Sequence, residues 1–352
     1  MDELAQRLAQ CTLALCRIPS VTGAEGALAD ALEERCRQLA PVRTRRLGNA
    51  LLCEGPRRPG RPTVALLGHS DTVAPSADQL TCIRNGRVHG CGASDMKGGL
   101  AVMLELLAQA EALQRNLVCV FYDREEGPME DSGLEPLLAQ GLLQGVDLAL
   151  CLEPTDNHLQ SGCLGSLHAR VTFHGRRAHS ARPWQGQSAL SAALPFLAQL
   201  ACRERREVRV GGLSFYEVMI ATTAHTDNPR NVVPDRFVIN VNHRFAPGRD
   251  LAEAEAELRA QVPPEAEVVI VDRAPAGPVC HDHPLLVPWR EALGIPVEPK
   301  QAWTDVARLG RYGVPAVNFG PGETAQAHQA RESIPIENLV IHYQALRHLL
   351  AA

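Results

Sequence analysis

The feature that most constrains the fold is a series of short, continuously apolar runs that alternate with helical segments. The runs are TVALL at 63–67, LVCVFY at 117–122 and VDLALCL at 146–152. Between the first two, residues 100–113 carry apolar side chains at the i, i+3, i+4 and i+7 spacing of a packed helix. Strands that are apolar on both faces and separated by helices predict an α/β domain whose sheet is covered on both sides.

In the middle of the chain, the fully apolar runs give way to a different pattern of strands and helices, and the α/β pattern returns afterwards. The strands and helices indicated there lie at 167–173, 188–202, 236–245, 252–260 and 266–271. They supply five of the six elements of a β-α-β-β-α-β order, which is that of a two-layer ferredoxin-like domain. We therefore expect a discontinuous first domain, formed by 1–165 and 277–352, into which a two-layer α+β domain is inserted at 166–276.

Composition excludes several classes of protein. Hydrophobic residues make up 45% and charged residues 21% of the 352 residues, which is ordinary for a folded chain. The 35 Lys and Arg residues are mixed among 40 Asp and Glu residues, so we expect no nucleic-acid partner. No apolar run is long enough to span a membrane. The 11 cysteines are scattered and lack a C-x-x-C pair, so we expect a cytoplasmic protein without a disulfide framework.

Carboxylates and histidines follow the apolar strands where each strand ends. His69 and Asp71 come after the first run, Glu125 and Glu126 after the second, and Glu153 after the third. Because the carboxyl ends of parallel strands open into one crevice, we expect these side chains to lie close together. Imidazole with carboxylate ligands suits zinc or another divalent ion, and a bridging carboxylate would suit a two-metal site.

Two further motifs extend this pattern. Asp95 lies in GCGASDMKGG at 90–99, directly before the helix, and His328 follows VNFGPG at 317–322. Each motif has an ordinary structural explanation when taken alone: Asp95 could cap the helix, and the glutamate pair could be solvated surface charge. Because these histidine and carboxylate motifs all lie at strand ends, the pattern favours a single polar edge of the sheet.

Taken in order, the motifs resemble the zinc-dependent amidohydrolase and peptidase family that includes succinyl-diaminopimelate desuccinylases, acetylornithine deacetylases and di-zinc carboxypeptidases. GHSDTV, GCGASDMKGG, DREEG, LEPT and AHQARE carry the resemblance, and they run from residue 68 to residue 332. The stretches YDREE, RRAHSARPW, WTDVAR and VNFGPG are similar to the actinobacterial-type branch of the desuccinylases. The resemblance implies a zinc-binding catalytic domain with an inserted lid that also forms a homodimer.

The resemblance also implies a set of metal ligands. Asp95 would bridge two zinc ions in each subunit, for which Co²⁺ or Mn²⁺ could substitute. His69 and Glu153 would complete one ion, and Glu126 and His328 the other.

Catalytic and substrate-binding roles follow from the same resemblance. Glu125 would be the general base for a metal-activated water, and Asp71 would hold the ring of His69. His179 would reach the active site of the partner subunit and stabilise the oxyanion. The residues matched to substrate binding are Asn231, Arg244, Thr304 and Arg308.

The implied activity is hydrolysis of the amide bond of N-succinyl-L,L-2,6-diaminopimelate, a small N-acyl amino acid, to succinate and L,L-diaminopimelate. Two alternatives keep the same machinery: an N-acyl amino acid deacylase that removes an acetyl group, and a dipeptidase. A third alternative is a non-catalytic binding relative. It predicts the loss of Glu125 or of a metal ligand, and the sequence retains them all.

Overall fold

The computed structural model of this protein describes residues 2–351. Its α-helices are α1 (Glu3–Cys16), α2 (Gly26–Gln38), α3 (Gly98–Leu107), α4 (Leu134–Ala139), α5 (Ala189–Ala201), α6 (Leu251–Gln261), α7 (Val287–Leu293), α8 (Val306–Arg311) and α9 (Ile336–Ala351).

Eighteen β-strands lie within residues 2–351. They are β1 (Arg43–Leu47), β2 (Ala50–Glu54), β3 (Thr63–His69), β4 (Cys82–Arg84), β5 (Arg87–His89), β6 (Asn116–Tyr122), β7 (Leu148–Cys151), β8 (Leu159–Ser161), β9 (Gly165–His174), β10 (Ala178–His179), β11 (Arg206–Val210), β12 (Leu213–His225), β13 (Val232–Val233), β14 (Arg236–Phe245), β15 (Glu267–Ala274), β16 (Val297–Pro299), β17 (Ala316–Asn318) and β18 (Ser333–Pro335).

The chain forms two compact units, and the first comprises residues 2–161, 280–298 and 304–351. Its main sheet has the strand order β1-β2-β6-β3-β7-β17-β8-β16, and β6, β3, β7 and β17 run parallel at the centre. One core cluster includes α1, α3 and α9, and a second includes α4 and α8. Because helices cover both faces, β3, β6 and β7 are buried along their whole length. The predicted α/β class is confirmed.

The helix predicted over 100–113 is shorter in the structure. α3 ends at Leu107, and a separate single turn of 3₁₀-helix follows at Ala110–Ala112. The apolar spacing continues past the helix end because Ala110 and Leu113 are still buried in the core. Apolar periodicity reports burial, and here burial extends beyond the helical backbone.

The second unit comprises residues 162–279 and 299–303. Its five-stranded antiparallel sheet has the order β11-β12-β14-β9-β15, and its core includes residues of α5 and α6. The predicted β-α-β-β-α-β order is present as β9, α5, β12, β14, α6 and β15. The sequence pattern located neither β12 nor β11, which is short, charged and largely exposed. The predicted insert, 166–276, lies within this unit, and its domain boundaries stay a prediction.

None of the helices within residues 2–351 combines the length and the apolar character that a bilayer span requires.

Candidate metal centre

His69 is the last residue of β3, and its buried ring is held on both nitrogens. Nδ1 lies 3.1 Å from the carbonyl oxygen of Asp71 and 3.5 Å from Asp71 Oδ1. Because both of these atoms accept hydrogen bonds, Nδ1 carries a proton. Nε2 lies 3.1 Å from Oδ1 of Asp95, on the side of the carboxylate cluster. This arrangement prepares Nε2 to bind a metal.

Asp71 does more than orient His69, because its buried carboxylate also fixes the backbone of the glutamate pair. The N–H of Glu125 donates to Oδ1 at 3.0 Å, and that of Glu126 donates to Oδ2 at 3.0 Å. Burial alone would raise the pKa of Asp71, but the His69 ring and these backbone donors outweigh burial and lower it. Asp71 therefore stays ionised and ties the loop after β6 to the loop after β3.

Asp95 lies in an irregular turn, Ala93–Lys97, directly before α3, and its φ of −120° and ψ of 88° are not helical. The carboxylate of Glu332 accepts the N–H groups of Gly92 at 2.6 Å, Ser94 at 2.7 Å and Asp95 at 2.9 Å. Gly92 has a φ of +79°, a conformation that suits glycine. Glu332 is 3% exposed, and burial raises its pKa to about 7. Sequence reasoning missed this residue, although it is the last letter of the AHQARE motif.

The five predicted ligands come together in overlapping groups. In each group, one donor atom per residue lies within 4.8 Å of the others. The first group is His69, Asp95 and Glu153, and the second is His69, Glu125 and Glu126. The third group is Asp95, Glu126 and His328. The first and third groups share Asp95. The structure therefore brings together the two ligand sets that were predicted around one carboxylate, and their role as metal ligands stays a prediction.

His328 and Glu126 close the outer side of this cluster. Nε2 of His328 lies 2.8 Å from Oε1 of Glu126 and 3.7 Å from Oδ2 of Asp95. The side chain of His328 is 52% exposed, whereas that of His69 is buried. One group of donors is therefore open to solvent and the other is enclosed.

The electrostatics of the cluster show that it suits a cation. Burial raises the pKa of Glu125 well above its ordinary range, and the negative charge of Glu153 raises it further. Carboxylates held this close repel one another unless positive charge compensates them. A divalent ion reverses that repulsion, and imidazole and carboxylate donors are ligands that such ions take in proteins.

The loop GPG at 320–322 approaches Glu153 so closely that only glycine fits at residue 320. A Cβ atom on Gly320 would lie 2.1 Å from the carbonyl oxygen of Glu153 and 2.3 Å from that of Leu152. The N–H of Gly320 donates to Oγ1 of Thr155 at 2.9 Å. This contact connects the ends of β7 and β17 and positions the backbone of Glu153.

Arg308, predicted to bind substrate, is 2% exposed and has its donors engaged inside the first unit. Nε donates to Asp305 at 2.6 Å, Nη1 to Glu135 at 2.7 Å, and Nη2 to the carbonyl oxygen of Met129 at 2.7 Å. Thr304 is also buried. In this structure Arg308 connects α8 to α4 and to the loop after the glutamate pair, and its contact with substrate stays a prediction, as does that of Thr304.

The other predicted residues belong to the second unit. His179 in β10 pairs with Val232 in β13, and Ser180 N–H donates to the carbonyl oxygen of Asn231 at 2.9 Å. His179 and Asn231 therefore belong to the same two-stranded ribbon, one residue out of register with each other, and both are exposed. Arg244 lies elsewhere in this unit, on β14.

Comparison with known proteins agrees with this geometry. The family model described as Peptidase family M20/M25/M40 matches residues 65–352. The chain belongs to this family and is a metal-dependent amidohydrolase.

Among curated relatives, the putative succinyl-diaminopimelate desuccinylase of Mycobacterium tuberculosis is 35% identical over 97% of both chains. The succinyl-diaminopimelate desuccinylase of Corynebacterium glutamicum is 36% identical over 93% of this chain and 92% of its own. The acetylornithine deacetylase of Myxococcus xanthus is 29% identical over 83% of this chain and 80% of its own. The resemblance drawn from the motifs is thereby confirmed.

A solved structure shares the fold at low sequence identity. The M20 family metallo-carboxypeptidase of Sulfolobus solfataricus superposes with a TM-score of 0.74 and 16% identity, covering 100% of this chain and 98% of its own.

Replacing Gly320 by alanine tests whether the close approach at residue 320 positions the site. We expect Gly320→Ala to lower the free energy of unfolding by about 1–3 kcal/mol, the usual cost of overpacking, and to lower the bound metal per chain. Urea denaturation and elemental analysis measure the two effects. Gly26→Ala is the control, because its Cβ would meet nothing closer than Asn49 Oδ1 at 4.0 Å. Full metal content in Gly320→Ala would contradict the role of this contact.

Proposed function

We propose that this protein is a di-zinc hydrolase that cleaves N-succinyl-L,L-2,6-diaminopimelate into succinate and L,L-diaminopimelate, a reaction of diaminopimelate and lysine biosynthesis. The observation that carries the proposal is the pair of donor groups that share Asp95, because two ions bridged by one carboxylate need that arrangement. The choice of substrate is supported by the two actinobacterial relatives named as desuccinylases, which align over nearly their whole length.

The ligands of the two ions follow from the two groups. His69, Asp95 and Glu153 would hold one ion, and Asp95, Glu126 and His328 the other. Mixed imidazole and carboxylate donors favour zinc among the common divalent metals. When bound, a zinc ion polarises an amide carbonyl and lowers the pKa of water to about 7.

Glu125 is the residue that we assign as general base. It lies in a group with His69 and Glu126, and Asp71 holds its backbone N–H. From there its carboxylate would take a proton from the attacking water and later deliver that proton to the leaving amine nitrogen. Glu126, the adjacent residue, serves instead as a ligand.

His179 is assigned to stabilise the oxyanion in the active site of the partner subunit. Its Nδ1 accepts a hydrogen bond from the N–H of Ala181 at 3.0 Å, so the proton of the neutral ring lies on Nε2. An N–H donor on an exposed ring is the group that a developing oxyanion requires. Asn231, on the partner strand of the same ribbon, and Arg244 would hold carboxylates of the substrate.

A homodimer formed through the inserted domain is supported by an uncovered strand edge. β11 pairs only with residues 213–217 of β12, so residues 218–225 form an open edge on that side. On this edge Ile220, which pairs with Asn242, is 47% exposed on the face turned away from α5, and α5 exposes Leu190 and Leu194 on the other face. An open edge beside exposed apolar side chains suits a second copy of the same surface, related by a twofold axis.

Substrate specificity is tested by hydrolysis assays with zinc-loaded protein. We expect chelator-sensitive release of succinate from N-succinyl-L,L-diaminopimelate and little release of acetate from N-acetylornithine, because the relatives named as desuccinylases have the higher identity. The chelated enzyme is the control. A preference for the acetyl substrate would favour the deacylase alternative, and turnover of dipeptides alone would favour the dipeptidase.

The role of the general base is tested with Glu125→Gln. Since this substitution removes a proton acceptor and leaves the proposed ligands in place, we expect metal content near that of the wild type and a kcat at least about 10²-fold lower. Glu130→Gln, an exposed glutamate in the same loop, is the matched control and retains activity. Activity near wild type in Glu125→Gln would refute the assignment.

The dimer is tested with the double variant Leu190→Glu, Leu194→Glu, two exposed residues of α5. Charges on this surface disfavour its burial, so we expect a monomer that has lost turnover, because His179 then reaches no second active site. Light scattering after gel filtration and the succinate assay measure the two effects. Ile341→Glu replaces a similarly exposed residue of α9 and remains a dimer. An active monomer would exclude a role for His179 in the neighbouring site.

A further inference from the structure

The sheet of the second unit has one apolar face and one polar face, and β14 shows the division residue by residue. Phe237, Ile239, Val241 and Phe245 belong to the core between the sheet and its helices. The residues that alternate with them, among them Asn240, Asn242 and Arg244, therefore face away from that core. On the neighbouring strand β9, Ser166 pairs with Arg244 and His168 pairs with Asn242, so these four residues share the polar face.

Arg244 is partly buried on this face, and most of its donors are unused. Nε donates to Oδ1 of Asn242 at 3.0 Å. Within residues 2–351 this is the only hydrogen bond of its side chain, and no carboxylate lies within 4.0 Å of its guanidinium. Burial lowers its pKa, although the guanidinium remains charged. A partly desolvated guanidinium whose Nη1 and Nη2 have no partner is suited to receive an anion, above all a carboxylate in bidentate geometry.

Asn242 is held so that its amide can bind Arg244 in only one orientation. Its Nδ2 donates to Oγ of Ser166 and to the carbonyl oxygen of Leu167, both at 3.1 Å, and lies 3.1 Å from Nε2 of His168. A carbonyl oxygen only accepts hydrogen bonds, so the NH₂ group must face Leu167 and Oδ1 must face Arg244. The side chain is 6% exposed, which protects these bonds from competition by water.

We propose that Asn242 is a positioning residue that prepares Arg244 to bind a carboxylate of the substrate. It occupies Nε with a neutral acceptor, so the guanidinium keeps its full charge and both Nη groups remain available as a pair. An aspartate at this position would neutralise the charge, and an apolar residue would leave Nε without its partner. The inference rests on the proposed function, since the carboxylate is one of those on N-succinyl-L,L-diaminopimelate.

A double-mutant cycle tests this coupling on the full-length, metal-loaded protein. Calorimetry measures the Kd of succinate and of L,L-diaminopimelate for the wild type, Asn242→Ala, Arg244→Ala and the double variant. For one of these products we expect each single substitution to raise the Kd about tenfold or more, because a hydrogen bond to a charged group is lost or misdirected. The double variant should bind that product within about twofold of Arg244→Ala, since Asn242 acts through Arg244.

Arg236→Ala is the matched control for this cycle. It removes an exposed arginine from the same face of β14, eight residues from Arg244. We expect its Kd values to equal those of the wild type. Additive effects of Asn242→Ala and Arg244→Ala would overturn the inference, as would unchanged binding of both products by Arg244→Ala.

Two further measurements separate positioning from a structural role. In Asn242→Ala we expect a raised KM with kcat within about twofold of wild type, because the carboxylate is held equally in the ground state and the transition state. Asn242→Asp, which keeps the shape and the acceptor, should also weaken binding, because its charge competes for Arg244. Full affinity in Asn242→Asp would overturn the inference. The Kd measurements need no turnover, so failure of wild type to hydrolyse the succinyl substrate would refute the proposed function alone.

Discussion

Repulsion among carboxylates is the constraint on which the rest of this structure depends. Donor atoms of Asp95, Glu125, Glu126 and Glu153 gather with two imidazoles in overlapping groups only a few ångströms across. Without compensating charge, burial and mutual repulsion raise the pKa of such groups, as they do for Glu125. A divalent ion makes the same arrangement favourable. The protein must hold these side chains together before an ion binds, and the surrounding fold supplies the necessary rigidity.

That rigidity comes from two buried carboxylates that bind backbone N–H groups. Asp71 holds the N–H groups of Glu125 and Glu126, and Glu332 holds those of the turn that carries Asp95. Each connects loops at the polar edge of one sheet, and the strands beneath are buried along their whole length. Ligand geometry therefore depends on charged residues that would not themselves touch a metal.

In the second unit, the corresponding interaction is the hydrogen bond between Asn242 and Arg244. To bind a carboxylate as proposed, Arg244 would have to keep both its charge and its free donors, and the neutral amide of Asn242 next to it meets both needs. Elsewhere in this unit, Arg206 and Arg249 form ion pairs with Glu217 and Glu257, and these carboxylates neutralise their positive charge. The difference between Arg244 and these arginines lies in the neighbouring acceptor, which is an amide in one case and carboxylates in the other.

The sequence by itself determined the fold class and which side chains follow the buried strands. Short apolar runs separated by helices are typical of buried strands in an α/β sheet, and β14 occupies 236–245 as its alternation predicts. The side chains at the ends of β3, β6 and β7 then had to meet at one edge, because parallel strands end on the same side. The order of residues along the chain contains this information directly.

Tertiary structure alone decided which groups hold the site in place. Glu332 binds the backbone of Asp95 across 237 residues of sequence, and Arg308 reaches Glu135 across 173. No periodicity or spacing encodes such pairs, since a buried carboxylate, guanidinium or amide takes whichever partner the folded chain brings within about 3 Å. The same holds for Asn242, whose amide orientation follows from acceptors on β9. Hydrogen-bond partners are chosen by proximity in the fold, and proximity appears only when the chain has folded.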